Sequence, residues 1–184
     1  MYSKKRDFSV PTIFAMIFFM VSAFTLTAGI ADVDAIYNSI RYSQPKYQTT
    51  ETIVTFDHDG MQMVATLTLP NTSKRVPIVL TFNGFMGTRD EAPIGGSDEG
   101  VMKHNARIFA EQGIATLRVD FRGAGDSDGD YTFTSFTRQV ADALRSIEYV
   151  KANHKNQVDI DSIGLLGFSQ GGLVSCSAAA ASKD

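Results

Sequence analysis

The chain has 184 residues, a formal net charge of −3 and 43% hydrophobic residues, the size and balance of one globular domain. Mild acidity, with charges of both signs mixed along the chain, excludes the basic stripe of a nucleic-acid binder. A single cysteine, Cys176, excludes an internal disulfide and a multi-cysteine metal site, and His58, His104 and His154 are too scattered to hold zinc. No metal and no other cofactor is expected.

Residues 1–31 read as an address rather than as part of the fold. Lys4, Lys5 and Arg6 form a basic start, and no charged residue follows between Ser9 and Ala31. Small residues at Ala28, Gly29 and Ala31 suit signal-peptide cleavage. Without cleavage, the same span is long enough to anchor the chain in a membrane through residues 10–31, with its N-terminus in the cytoplasm. A buried core helix is the third reading. Under either of the first two, the rest of the chain works outside the cytoplasm, periplasmic, secreted or membrane-anchored. A lone cysteine fits such an oxidising compartment.

Residues 32–51 are polar and read as a linker or leading helix, and 52–184 as the folded domain. The alternating runs Thr52 to Phe56 and Met61 to Leu69, separated by Asp57-His58-Asp59-Gly60, predict a β-hairpin with His58 solvated in its turn. Val76 to Phe82 is continuously apolar, as for a strand buried on both faces. A helix is predicted over Ser97 to Gln112, with Val101, Ile108 and Phe109 inward and Gly113 as its stop. Ile114 to Val119 is the next strand. Ser135 to Asn153 is a helix with Phe136, Val140, Leu144 and Ile147 on one face, and His154 suits its C-terminal dipole. Ser162 to Leu166 is a strand and Gly171 to Ala181 a helix, on which Cys176 is expected to be buried. Strands and helices in strict alternation imply parallel strands with helical crossovers, an α/β fold. The working residues of such sheets gather beyond the C-terminal strand ends.

Three strand ends stand out, two of them for chemistry. Gly167-Phe168-Ser169-Gln170-Gly171 is G-x-S-x-G between an apolar strand and an Ala-rich helix, a tight turn that would push the Ser169 side chain out of the sheet. After Phe82, Asn83-Gly84-Phe85-Met86-Gly87 lets the backbone turn so that the N–H of Phe85 faces the site. With the N–H of Gln170, it would hold a tetrahedral oxyanion. The third end, Asp120-Phe121-Arg122-Gly123-Ala124-Gly125-Asp126-Ser127, departs from G-x-G-x-x-G. It also lacks the glycine and glutamate of a calcium loop. Its expected role is structural, with Arg122 and Asp126 bracing it.

Together these three motifs, in this order, resemble those of α/β-hydrolases, and most of all the branch of feruloyl-type carboxylesterases and serine aminopeptidase-like hydrolases. The resemblance covers Thr52 to Ala181. It implies Ser169 as catalytic nucleophile, Phe85 and Gln170 as oxyanion-hole donors, and Asn83, Gly84, Gly167 and Gly171 as supporting residues. Many relatives have histidine where this chain has Asn83, a change that alters the hydrogen bonding behind the oxyanion hole. The family order places an acid and a histidine after the nucleophile; no histidine follows Ser169 here, and Asp184 comes too soon to be that acid. The chain is therefore expected to be the N-terminal part of a larger hydrolase, inactive alone and with the strand at Ser162 to Leu166 as an open edge. Hydrolysis of a small carboxylic ester is the leading expectation. A peptidase of the same fold, acting on peptides, and a non-catalytic binding module are the alternatives.

Overall fold

The structure, a computed structural model, describes residues 44–182. The proposed signal or anchor at residues 1–31, and most of the linker at 32–51, lie outside them. Among the described residues no helix is long and apolar enough to cross a membrane.

The chain opens with an antiparallel hairpin, β1 (Thr49–His58) and β2 (Met61–Pro70), in the register His58↔Met61. Its two-residue turn, Asp59-Gly60, has φ of +56° and +76°, the mirror-image geometry that matches strand twist. Because β1 starts at Thr49, positions 49–51 belong to the sheet rather than to a linker. Then come β3 (Val76–Phe82), α1 (Val101–Glu111), β4 (Ala115–Val119), a 3₁₀ turn (Tyr131–Phe133), α2 (Phe136–Asn153), β5 (Val158–Gly167) and α3 (Gln170–Ala181). The order across the sheet is β1-β2-β4-β3-β5, with β3 parallel to both β4 and β5. This is the α/β architecture expected from the alternation. β3 lies between β4 and β5, and β5 stands at the edge of the described sheet, paired with β3.

The two faces of the sheet differ. Ile78, Leu80 and Phe82 join Met63, Ala65, Leu67, Leu117 and Val119 in one apolar layer under α2 and α3. Residues one position away along the strands, Thr66, Thr68, Thr81, Thr116 and Arg118, are buried and polar. Side chains alternate across a strand, so these lie on the opposite face, which α1 covers through its contacts with β2 and β4. Fully buried Arg118 is matched there by Glu51 (2.7 Å), Asp90 (3.0 Å) and Thr68 (3.2 Å). β3 itself buries Ile78, Leu80 and Phe82 on the apolar face, while its other face carries exposed Pro77, half-buried Val79 and buried Thr81.

The helix faces also depart from expectation. In α1 the buried residues are Met102, Ala106 and Ala110, while Val101, Ile108 and Phe109 are only half-buried. Small alanines allow close approach to the sheet, and the larger side chains flank the contact. In α2, with Ser135 accepting from the Arg138 N–H as its cap, the buried stripe is Gln139, Asp142, Ala143, Ser146, Ile147 and Val150. Phe136 is exposed. The stripe is rotated by about one residue because three polar side chains are needed inside. Cys176, expected to be buried, is exposed on α3. Gly171, Val174, Ser175 and Ala178 form the buried face instead, and Cys176 falls outside that stripe.

Candidate active site

Ser169 stands between β5 and α3 with φ +50° and ψ −117°. For a residue with a Cβ such a backbone costs about 1–3 kcal/mol, and it persists only where its surroundings over-determine it. Here the surroundings are backbone. The Phe168 N–H donates to the Phe82 carbonyl (3.0 Å), which ties the turn to the end of β3. The Gly171 N–H donates to Phe168 O (2.8 Å) and the Gly172 N–H to Ser169 O (3.0 Å). A Cβ at Gly167 would lie 2.0 Å from the Gly171 carbonyl, and one at Gly171 would lie 2.2 Å from the Phe82 oxygen. Neither position admits a side chain. The Ser169 side chain makes no cap bond to α3 and is exposed.

The second turn leaves β3 beside it. A Cβ at Gly84 would lie 3.3 Å from Phe168 Cδ1 and 3.4 Å from Ser169 Cβ, so the two glycine turns meet at the serine. Asn83 is buried, and its Nδ2 donates to Gly84 O (3.0 Å) and Gly87 O (2.8 Å), closing the turn from beneath. The Gly84 N–H donates to Glu91 Oε1, the Met86 N–H to the Tyr131 hydroxyl (2.9 Å) and the Gly87 N–H to Gly84 O (3.1 Å). Phe85 N–H has no partner among the described residues. On the other side, the Gln170 side chain donates to buried Gln139 of α2 (2.7 Å), fixing the first residue of α3.

Three successive residues carry the loop after this turn. Arg89 donates through its backbone N–H (2.6 Å) and its guanidinium to the fully buried Asp120, and also reaches Thr66 (3.0 Å) and Asp126 (2.7 Å). Asp90 pairs with Arg118 (3.0 Å) on the polar face of the sheet. Glu91, at φ +61°, turns back to Gly84. Asp120 also accepts from the Asp126 N–H (3.0 Å), and a Cβ at Gly125 would lie 2.3 Å from its carboxylate. The Asp120 to Ser127 loop is thus a brace: Ser127 Oγ donates to Asp120 O (2.8 Å) and accepts from the Val64 N–H (2.8 Å). Arg122 and Asp126 brace it as expected, Arg122 through Asp142 (2.6 Å) and Asp59 (2.9 Å).

The sequence of residues 59–184 matches the X-Pro dipeptidyl-peptidase (S15 family). The chain belongs to that family. Its S15 domain has the α/β-hydrolase fold, in agreement with two solved structures. One is Est1E of Butyrivibrio proteoclasticus with ferulic acid bound, at 29% identity and a TM-score of 0.60 over 70% of this chain and 47% of that one. The other is the α/β hydrolase GrgF of Penicillium sp. sh18, at 28% identity and a TM-score of 0.61 over 73% and 43%. An Escherichia coli protein described as an uncharacterized 31.7 kDa protein in the traX-finO intergenic region is 31% identical over 125 residues, 67% of this chain and 40% of that protein. The chain spans about two fifths of the length of the curated relatives it matches.

The histidines of this S15 chain are engaged elsewhere. His58 is not a solvated turn residue. It ends β1 with its ring largely covered, Nδ1 lying 2.9 Å from the buried Asp142 without the alignment of a hydrogen bond. Four inter-strand steps separate β1 from β5, about 19 Å at the usual strand spacing. His104 pairs with Glu99 (2.8 Å), and His154 lies against Tyr149 and Gln157. Hydrogen bonds from Arg107 first, then from His104, hold the Glu99 carboxyl below the usual carboxylate range. Among the described residues no cluster of side chains could hold a metal ion.

Sequence reasoning missed Glu91, Tyr131 and Gln139. Glu91 sits in a charged run, Arg89-Asp90-Glu91, that reads as solvated loop. Tyr131 is reached across 45 positions and Gln139 across 31. No local signal marks such pairs.

Proposed function

We propose that the chain carries the nucleophile and the oxyanion donors of a serine hydrolase acting on carboxylic esters through an acyl-serine intermediate. The observation that supports this best is the Ser169 backbone, held at φ +50° between two glycines where no Cβ fits. Ser169 Oγ attacks the ester carbonyl while its proton passes to a base. The carbonyl oxygen, now an anion, takes the N–H groups of Phe85 and Gln170, and the first turn of α3 adds its positive dipole. Collapse releases the alcohol, protonated from the base, and water attacking the acyl-serine releases the acid.

A hydroxyl needs an adjacent base, and His58, His104 and His154 are committed elsewhere. The reading therefore concerns the complete protein, with only residual turnover from residues 1–184 alone. Exposed Phe85, Met86 and Phe168, in the two turns that meet at the serine, offer apolar surface beside it, which favours an apolar or aromatic acyl group. Est1E, solved with ferulic acid, supports the same substrate class. The family match favours a second reading, cleavage of peptides.

Fluorophosphonate labelling of the complete protein tests the reading. Labelling at Ser169 that disappears in Ser169→Ala is expected, whereas an unlabelled, folded protein would make this a binding module. Turnover of aryl esters against X-Pro anilides then separates esterase from peptidase. We place the domain outside the cytoplasm on the strength of Lys4, Lys5, Arg6 and the uncharged stretch after them. Cell fractionation finding it in the cytosol would refute that placement.

A further inference from the structure

Four consecutive N–H groups, from Gly84 to Gly87, line the turn after β3, and three are already engaged. Gly84 donates to Glu91, Met86 to the Tyr131 hydroxyl and Gly87 back to Gly84. The one left over, Phe85, is the donor that the proposed chemistry requires. Which N–H remains free is decided by two side chains outside the turn, and we propose that Glu91 and Tyr131 are positioning residues that aim the Phe85 N–H at the oxyanion.

The inference rests on the serine-hydrolase reading and adds a division of labour to it. The Phe85 N–H lies in the Gly84–Phe85 peptide plane, whose Gly84 carbonyl accepts from Asn83 Nδ2 (3.0 Å) and from the Gly87 N–H (3.1 Å). The planes on either side of that one are fixed from opposite directions. Glu91 holds the one before it, itself at φ +61° and packed so closely that a Cβ at Gly87 would lie 2.6 Å from its Oε1. Tyr131 holds the one after it, and its ring meets the Phe85 ring edge-on at 5.9 Å. With both anchors present the neighbouring planes are held, so turning the Phe85 N–H strains them and breaks the bonds that the Gly84 carbonyl of its own plane accepts. A donor that needs no reorganisation at the moment of reaction is what makes an oxyanion hole effective. Anchoring by side chains has a further consequence: the hole is only as well placed as the loops bearing Glu91 and Tyr131. Those loops are joined to each other below the site, Arg89 and Asp126 both binding Asp120.

The test compares Tyr131→Phe, Glu91→Ala and Glu91→Gln in the complete protein with p-nitrophenyl acetate, alongside Ser169→Ala. Tyr131→Phe removes the acceptor and keeps the ring. Because loss of an oxyanion donor costs about 100- to 1,000-fold in kcat, misaiming one is expected to lower kcat about tenfold, with KM changed by no more than about twofold. Glu91→Ala should behave likewise, and Glu91→Gln, whose amide oxygen still accepts from Gly84, should recover most of the loss. Affinity for phenylboronic acid, which forms a tetrahedral adduct on serine, should fall in parallel with kcat. Unchanged kcat in Tyr131→Phe and Glu91→Ala, while Ser169→Ala is dead, would overturn this inference alone. Glutamine no better than alanine would remove Glu91 from it. Turnover that survives Ser169→Ala would remove the hydrolase reading and this inference together.

Discussion

The two turns that meet at Ser169 are built by different means. The turn from Gly167 to Gly171 is held chiefly by backbone, with carbonyls 2.0 and 2.2 Å from where side chains would begin and the Gln170 bond to Gln139 added at its end. The turn from Asn83 to Gly87 is held by side chains: Asn83 beneath, Glu91 and Tyr131 on the flanks, and Arg89 and Asp90 anchoring the loop beyond it. Steric exclusion leaves the first turn one conformation and ties it to particular residue types at particular spacings. Hydrogen bonding leaves the second open to other residues that reach the same N–H groups. That contrast explains why the first has a compact sequence signature and the second does not.

The largest effect should come from the sterically closed turn. Gly171→Ala drives a methyl group into the Phe82 and Asn83 carbonyls, at the end of β3 and in the turn that leaves it, and the Phe82 carbonyl cannot move without losing its bond from Phe168. Loss of about 3 kcal/mol or more is expected in denaturant unfolding, at the upper end of overpacking costs. A normal midpoint would show that this turn is as adaptable as the other.

Asp120→Asn tests the hydrogen-bonded side. Asp120 is buried and serves Arg89 twice and Asp126 once. Weakening bonds from a charged partner should cost about 1.5–3 kcal/mol. Because Arg89 follows the turn proposed to bear an oxyanion donor, ester turnover should fall more than the change in stability explains at temperatures where the variant is folded. Stability loss with full activity per folded molecule would separate the brace from the site.

Ser169→Gly sharpens the comparison from the opposite direction. Glycine tolerates φ +50° without strain, so this variant should be inactive yet more stable than Ser169→Ala by about 1 kcal/mol. Equal melting temperatures for the two would mean that the turn stores no strain.

The smallest effect concerns pH. Burial pushes the Glu51 carboxyl up, but the hydrogen bond and charge of Arg118 more than offset this and hold it below its ordinary value. A carboxylate with a lowered folded-state value stabilises the fold above its unfolded pKa, about 4.3, and loses that contribution as pH falls. The stability gap between the wild-type chain and Glu51→Gln should therefore be full at pH 6 and shrink below about pH 4. A gap that widened on acidification would reverse the sign of this linkage.

Residue order determined much of this protein. Alternation of apolar strands with helices gave the parallel sheet, Asp59-Gly60 the hairpin, and the glycines around Ser169 the strained turn. Each depends on contacts within a few positions or on sterics that only glycine escapes, so each leaves a local pattern. Tertiary structure decided the rest. The rotated face of α2, the exposure of Cys176 and the cover over His58 reflect which polar groups needed partners inside. Asp142 had to meet Arg122, and Gln139 had to meet Gln170. Glu91 and Tyr131 hold the Asn83 to Gly87 turn for the same reason. A hydrogen bond fixes distance and direction between two groups and says nothing of their separation along the chain, so only the folded sheet brings 84 to 91 and 86 to 131.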